Sequence, residues 1–175
     1  MKKIIFSILL LLIIWQSGNA QTTGANYDLC YHRLEWKLNP AIVFIEGKIT
    51  SYFHWTSEMP AQMTFDADNA LSVDSVFYHG EKLNFLHQND VVTIQLPDEV
   101  DSNQLDSVSV FYHGVPDNTG FGSFGQAWHN GIPIIWTLSE PYGAKDWWVC
   151  KQTLNDKIDS IDIFVETPKQ FDVAS

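Results

Sequence analysis

The chain has 175 residues, with 10 basic against 21 acidic side chains, a net charge of −11 and 14% aromatic residues. Such an acidic surface repels phosphate backbones and anionic lipid headgroups, which excludes nucleic acid and membrane surfaces as expected partners. The length suits one domain that builds its own core.

Residues 1–20 read as a signal peptide. Lys2 and Lys3 form a positive start, Ile4 to Trp15 an apolar run of twelve residues, and Gly18 and Ala20 place small side chains where a signal peptidase cuts. A spanning helix needs ~20 apolar residues, so a short uncleaved anchor is the weaker alternative. Cleavage after Ala20 leaves residues 21–175 as a single β domain, secreted or periplasmic and free of the membrane. That domain carries 8 basic and 21 acidic residues, a net charge of −13. No cysteine follows the cut, which argues against a lipid anchor. The two cysteines, Cys30 and Cys150, are too few for a disulfide framework. They read as two buried free thiols, with a bridge left open because export permits one.

Along the chain, apolar residues recur with period 2 and hardly ever with period 3.6. Leu34, Trp36 and Leu38 alternate with Arg33, Glu35 and Lys37 as a half-buried strand, and Asn39-Pro40-Ala41 turns the chain. Residues 42–55 read as a long β-branched and aromatic strand with Gly47 as a bulge. Further strands are expected at residues 61–65, 71–78, 91–96, 105–112, 133–138 and 160–166, separated by Gly, Pro, Asn and Asp. The expected fold is all-β, an antiparallel multi-stranded sandwich, with a barrel as the alternative.

Two strand ends repeat a phrase: Phe77-Tyr78-His79-Gly80 and Phe111-Tyr112-His113-Gly114. Two copies make no solenoid, and both glycines read as turn residues. Strand pairing could bring His79 and His113 together, although nothing in the spacing requires it. Residues 116–131 mix Gly120, Gly122, Gly125 and Gly131 with Phe121, Phe124 and Trp128. This segment is either a ligand-facing loop or an irregular hairpin that folds its rings inward.

No His-Glu-x-x-His, Gly-x-Ser-x-Gly or phosphate-binding glycine loop occurs, so the chain shows no catalytic constellation and no metal-ligand motif of its own. The densest cluster runs from Trp136 to Lys151 and holds three tryptophans around Glu140 and Lys145. Glu140 follows an apolar strand and precedes Pro141. A carboxylate there either solvates a loop or serves a ligand, while Trp147 and Trp148 read as core residues or as an exposed platform.

This cluster resembles a signature in the N-terminal domain of aminopeptidase N and leukotriene hydrolase-type zinc peptidases. Glu140 matches the family's Gln or Glu, Lys145 its Arg, Trp148 its aromatic, Cys150 its Cys and Lys157 a later Lys. Tyr142-Gly143-Ala144 is similar to bacterial members. Tyr27-Asp28-Leu29, Tyr31, Leu34 and Leu38-Asn39-Pro40 resemble the opening strand and turn. Residues 47–50 resemble the second strand, and residues 110–116 a later strand-to-turn segment. Lys145 departs from the family in losing the planar fork of Arg, and Val149 and Gln152 stand where Pro and Asp are usual.

The resemblance implies a saddle-like β domain that precedes a catalytic metallopeptidase domain. Gly-x-Met-Glu-Asn and His-Glu-x-x-His, which mark that domain in the family, are absent here. The expectation is therefore a member truncated before its catalytic domain, with zinc only in the full-length enzyme and peptide as substrate. In that setting Glu140 holds the substrate's free α-amine and Tyr142 is a rim contact. The face left uncovered is expected to be apolar and prone to self-association. The competing expectation is a stand-alone sandwich that binds carbohydrate or protein through Trp128, Trp147 or Trp148.

Overall fold

The computed structural model describes residues 24–56, 61–97 and 104–175. The signal peptide expected over residues 1–20 lies outside them. Eleven strands are present among the described residues: β1 (Tyr27–Leu38), β2 (Ile45–Trp55), β3 (Gln62–Asp66), β4 (Leu71–Tyr78), β5 (Glu81–Leu83), β6 (Phe85–Gln88), β7 (Val91–Gln95), β8 (Asp106–Gly114), β9 (Phe124–His129), β10 (Ile132–Thr137) and β11 (Ser160–Glu166). The helical content of these residues is one 3-10 turn, Ala144–Asp146. The all-β expectation holds.

A six-stranded sheet in the order β11-β1-β2-β8-β4-β5 forms one layer. Among the described residues it is open at both edges, so the barrel alternative is set aside. Its inward face follows the pleat: Leu34 and Trp36 of β1, Ile49 and Phe53 of β2, Val108, Val110 and Tyr112 of β8, and Val76 of β4. The outward face is solvated. There Glu35 binds both Arg33 (3.2 Å) and Lys48 (3.0 Å), while Lys37 faces Glu46.

Two units cover the inward face. The sheet β3-β7-β6 contributes Met63, Phe65, Val92 and Ile94, all fully buried. The β9–β10 hairpin and the loop after it contribute Phe124, Trp147 and Val149 to the same core. Each buried side chain of this size contributes roughly 1.5–3 kcal/mol by leaving water. Tyr27, Phe53, Phe65 and Trp55 meet at tilted or edge-on angles, with centroids 4.6–6.4 Å apart, the geometry that ring quadrupoles favour.

The purely antiparallel expectation needs one correction. β11 pairs with β1 in parallel, Tyr31 with Ser160 through Lys37 with Glu166. A parallel neighbour needs a long crossover, and here nearly the whole domain supplies it. The long strand begins at Ile45 rather than Ile42, because the Ile42 amide donates to Asn39 O and the Phe44 amide to Ile42 O, closing turns. Gly47 is not a bulge: it pairs in register with Trp36 and Tyr112. The register shifts fall between Leu29 and Tyr31 and between Val73 and Ser75.

The first shift sits at Cys30. Its freed backbone groups are met from the loop before β11: the Leu29 amide donates to Asp156 Oδ2 at 3.1 Å, and the Asp159 amide to Cys30 O at 2.9 Å. Lys151 pairs with Asp156, donates to Tyr27 O at 2.6 Å, and lies 4.1 Å from the centre of the Tyr27 ring. The ion pair is almost fully buried, and its added hydrogen bonds offset the desolvation of two charges.

Cys30 and Cys150 are both free thiols. Cys150 is buried as expected, and burial raises its pKa well above the ordinary value, whereas Cys30 is only half-buried. Gly80 is a turn residue at φ +84°, but Gly114 lies within β8, where a Cβ would meet Ala70 O at 2.8 Å. His79 and His113 sit at opposite ends of the β4–β8 pair. His79 Nε2 is 2.6 Å from Asp106, and His113 Nδ1 is 2.9 Å from Asp74.

Candidate functional site

The candidate site is the loop between β10 and the 3-10 turn, which continues to residue 150. Its sequence alternates anchors with free residues. Trp147 is buried against Trp36 (4.7 Å between ring centres), and its indole N–H donates to Ser139 Oγ at 3.2 Å. Cys150 and Asp66 exchange two backbone hydrogen bonds, 2.7 and 2.9 Å. Trp148 is half-buried and meets the His32 ring edge-on at 5.3 Å.

Between these anchors, Glu140 and Tyr142 point outward. Glu140 is exposed, is joined to Pro141 by a cis peptide, and forms no ion pair with any described residue. Tyr142 is 51% exposed. A carboxylate left unengaged beside an aromatic edge is chemically suited to a cationic ligand, since charge-assisted bonds to it are about twice as strong as neutral ones. Pro141, Tyr142, Trp148 and Lys157 border a cavity of about 340 Å³.

The other expected motif residues differ in their surroundings. Lys145 reaches Asp90 in the β6–β7 turn (2.5 Å) and holds that carboxyl below its ordinary pKa. The Lys145 amide donates to Gln152 Oε1 at 3.0 Å, and the Gln152 amide to Asp66 Oδ2 at 2.8 Å. Two of the three departures noted in the motif, Lys145 and Gln152, are thus bonded to each other. Lys157 is exposed and separate from this group.

Three features carry no short-range sequence signal. His32 is 1% exposed, with Nδ1 3.0 Å from Ser51 Oγ, and burial lowers its pKa to about 4 against a weaker opposing pull from Asp156. Asp146 is fully buried and accepts from Thr119 and Ser123. The third is a groove of about 520 Å³ between β1, β10, β11 and residues 171–175, walled by Trp36, Trp136, Trp147, Ile161 and Ile163. Ile132, Ile134, Trp136 and Leu138 of the hairpin are 44–57% exposed, and Ile161 and Ile163 of β11 are each 41% exposed. These apolar side chains are exposed on and beside the groove.

The glycine-rich segment is neither alternative in full. It forms the β9–β10 hairpin, with Phe124 inward but Phe121 and Trp128 outward, 81% and 61% exposed. Among the described residues no three His, Cys, Asp or Glu side chains converge into a metal-holding group.

No protein-family model and no curated protein matches the chain. Solved structures do. A two-domain M1 zinc metallopeptidase bound to L-arginine matches with a TM-score of 0.71 and 18% identity over 85% of this chain. An M1 zinc metallopeptidase from Deinococcus radiodurans matches at 0.70 and 18% over 84%. Native yeast LTA4 hydrolase matches at 0.69 and 14% over 88%. The chain spans 34%, 34% and 26% of their respective lengths. Its fold is that of the N-terminal domain of these zinc metallopeptidases.

Proposed function

We propose that this chain is the substrate-rim domain of a secreted zinc aminopeptidase, in which Glu140 holds the free α-ammonium of a peptide. The observation that carries the reading is an unengaged, exposed carboxylate on a firmly anchored loop of a domain with this fold. An exopeptidase needs such a group, because the charge that distinguishes its substrate is the terminal ammonium; an endopeptidase does not. Closure of the site excludes water and strengthens the pair. In this reading zinc is held by an adjoining catalytic domain, since the solved structures that share this fold are zinc metallopeptidases spanning about three times its length. The apolar groove and the outward face of β10 are the surface such a domain covers, and the same surface drives self-association when bare.

Joined to a catalytic domain of this class, the Glu140→Ala protein is expected to show a KM about ten- to hundredfold higher for peptides with free N-termini. That is the loss of one hydrogen bond to a charged group. N-acetylated peptides serve as the control, and an unchanged KM refutes the anchor. The purified chain with added zinc is expected to release no product from an aminoacyl chromogenic substrate, and turnover with stoichiometric zinc overturns its inertness.

The stand-alone binding module is less well supported. Of its three candidate platform residues, Trp147 is buried, Trp148 is half-buried, and Trp128 alone is exposed.

A further inference from the structure

Asp146 is 0% exposed, yet it belongs to no salt bridge among the described residues and to no part of the motif that marks the loop. Its Oδ2 accepts three hydrogen bonds, from the Thr119 amide (3.1 Å), the Thr119 hydroxyl and the Ser123 hydroxyl. Its backbone joins the same two segments, with its amide donating to Gly143 O and its carbonyl accepting from the Asp117 amide, each at 3.3 Å. Burial of a carboxylate is costly unless such donors surround it.

Ser123, once held, grips the loop that carries Glu140 at both ends. Ser123 O accepts the Leu138 amide at 3.1 Å, two residues before Glu140. Three residues after Glu140, Gly143 packs so closely that an added Cβ would stand 2.6 Å from Ser123 Cβ. The Gly143 amide donates to Ser139 O at 2.9 Å, closing the loop on itself.

We infer that Asp146 is the positioning residue for Glu140: acting through Ser123, it sets where the 138–143 loop presents its carboxylate to a substrate amine. This rests on the amine-anchor reading of Glu140. The second oxygen of Asp146 makes the inference testable, because Oδ1 is buried and has no hydrogen-bond partner. An asparagine keeps one oxygen for the three donors and sets its amide where no bond existed, so Asp146→Asn is expected to preserve the device. Asp146→Ala removes it. Ser123→Ala removes the hydroxyl that Asp146 and the Thr119 amide hold, so it uncouples Asp146 from Ser123 while the Ser123 carbonyl and Cβ still meet the loop, and the loss of one hydroxyl is too small a change to endanger folding.

The first test uses the 175-residue chain alone. Hydrogen exchange at the Leu138 amide is expected to speed up at least tenfold in Asp146→Ala and to stay near wild type in Asp146→Asn. Equal exchange in all three proteins overturns the positioning. The second test uses the chain joined to a catalytic domain. Asp146→Ala and Ser123→Ala are expected to raise KM for free-amine peptides about tenfold with kcat unchanged, and neither is expected to add to Glu140→Ala. A residue that merely stabilised the fold would instead act equally in both backgrounds, and that additivity overturns the inference. Should Glu140→Ala itself leave KM unchanged, the amine anchor falls, and the exchange experiment alone decides whether Asp146 orders the loop.

Discussion

Gly47→Ala is expected to lower the unfolding free energy by about 3 kcal/mol, the upper part of the range for overpacking a close-packed core. An added Cβ would stand 2.4 Å from two ring carbons of Tyr112 and 2.6 Å from its hydroxyl oxygen. A flexible neighbour would swing away, but this ring is pinned at its tip. The Tyr112 hydroxyl accepts from the Trp36 indole at 2.9 Å and donates to Trp147 O at 3.0 Å. Burial and these partners leave it nowhere to go without breaking bonds that cost about 1–3 kcal/mol each when left unmade. Urea denaturation of wild type, Gly47→Ala and Tyr112→Ala measures the loss. The double variant separates the causes, since Gly47→Ala should be far milder once the ring is gone. An unchanged midpoint for Gly47→Ala, or full additivity in the double variant, refutes the steric account.

Acid is expected to weaken the fold through His32. Its folded pKa is about 4, lowered first by burial, while the unfolded chain titrates near the ordinary 6.5. Above pH 6.5 the ring is neutral in both states and no penalty exists. As the pH falls from 6.5 towards 4, the unfolded chain takes up a proton that the folded chain refuses, so stability declines with acidification. The full span is worth about 3 kcal/mol. Glu35 and Asp90, whose pKa values are lowered by Arg33 and Lys145, add their own loss in acid, so the comparison that matters is with His32→Gln, which keeps a partner for Ser51 but does not titrate. Between pH 7.5 and 4 the wild-type curve should fall more steeply than the variant's, and parallel curves refute the assignment.

The strands were legible where alternation was long. Leu34, Trp36 and Leu38 in β1 and the run through β2 declare their inward faces residue by residue. Three short strands were not read as strands, because β5, β6 and β9 offer only 3, 4 and 6 residues of pattern. Their signal lay in the turns instead. His79-Gly80, Asn89-Asp90 and Asn130-Gly131 all take positive φ at both central residues, the conformation of a two-residue type I′ hairpin, for which Asn-Gly is the strongest local sign. The parallel partner of β1 was invisible for a different reason. Alternation reports which side of a strand is buried, never which strand lies beside it.

The site divided along the same line. Glu140, Tyr142 and the Trp147–Cys150 anchors were accessible because they occupy one stretch of sequence. Asp146 sits within that stretch but passes for another solvated acid, since its donors lie more than twenty residues upstream at Thr119 and Ser123. Lys151 and Asp156 also look like ordinary surface charges until the β1 bulge places Leu29 and Tyr27 beside them.

The parallel ladder between β1 and β11 carries a kinetic consequence. The first strand of the domain receives its outer neighbour from residues 160–166, so that ladder closes only after almost the entire chain is available. Contacts of such long sequence separation demand loop closure before they return any stabilisation, and folds built on them form slowly. β2 and the β4–β8 pair can assemble earlier, whereas the outer edge of β1 stays open until the end. The inner strands of a chain with this wiring are free to pair during synthesis, and the outer edge of β1 is the last to be covered.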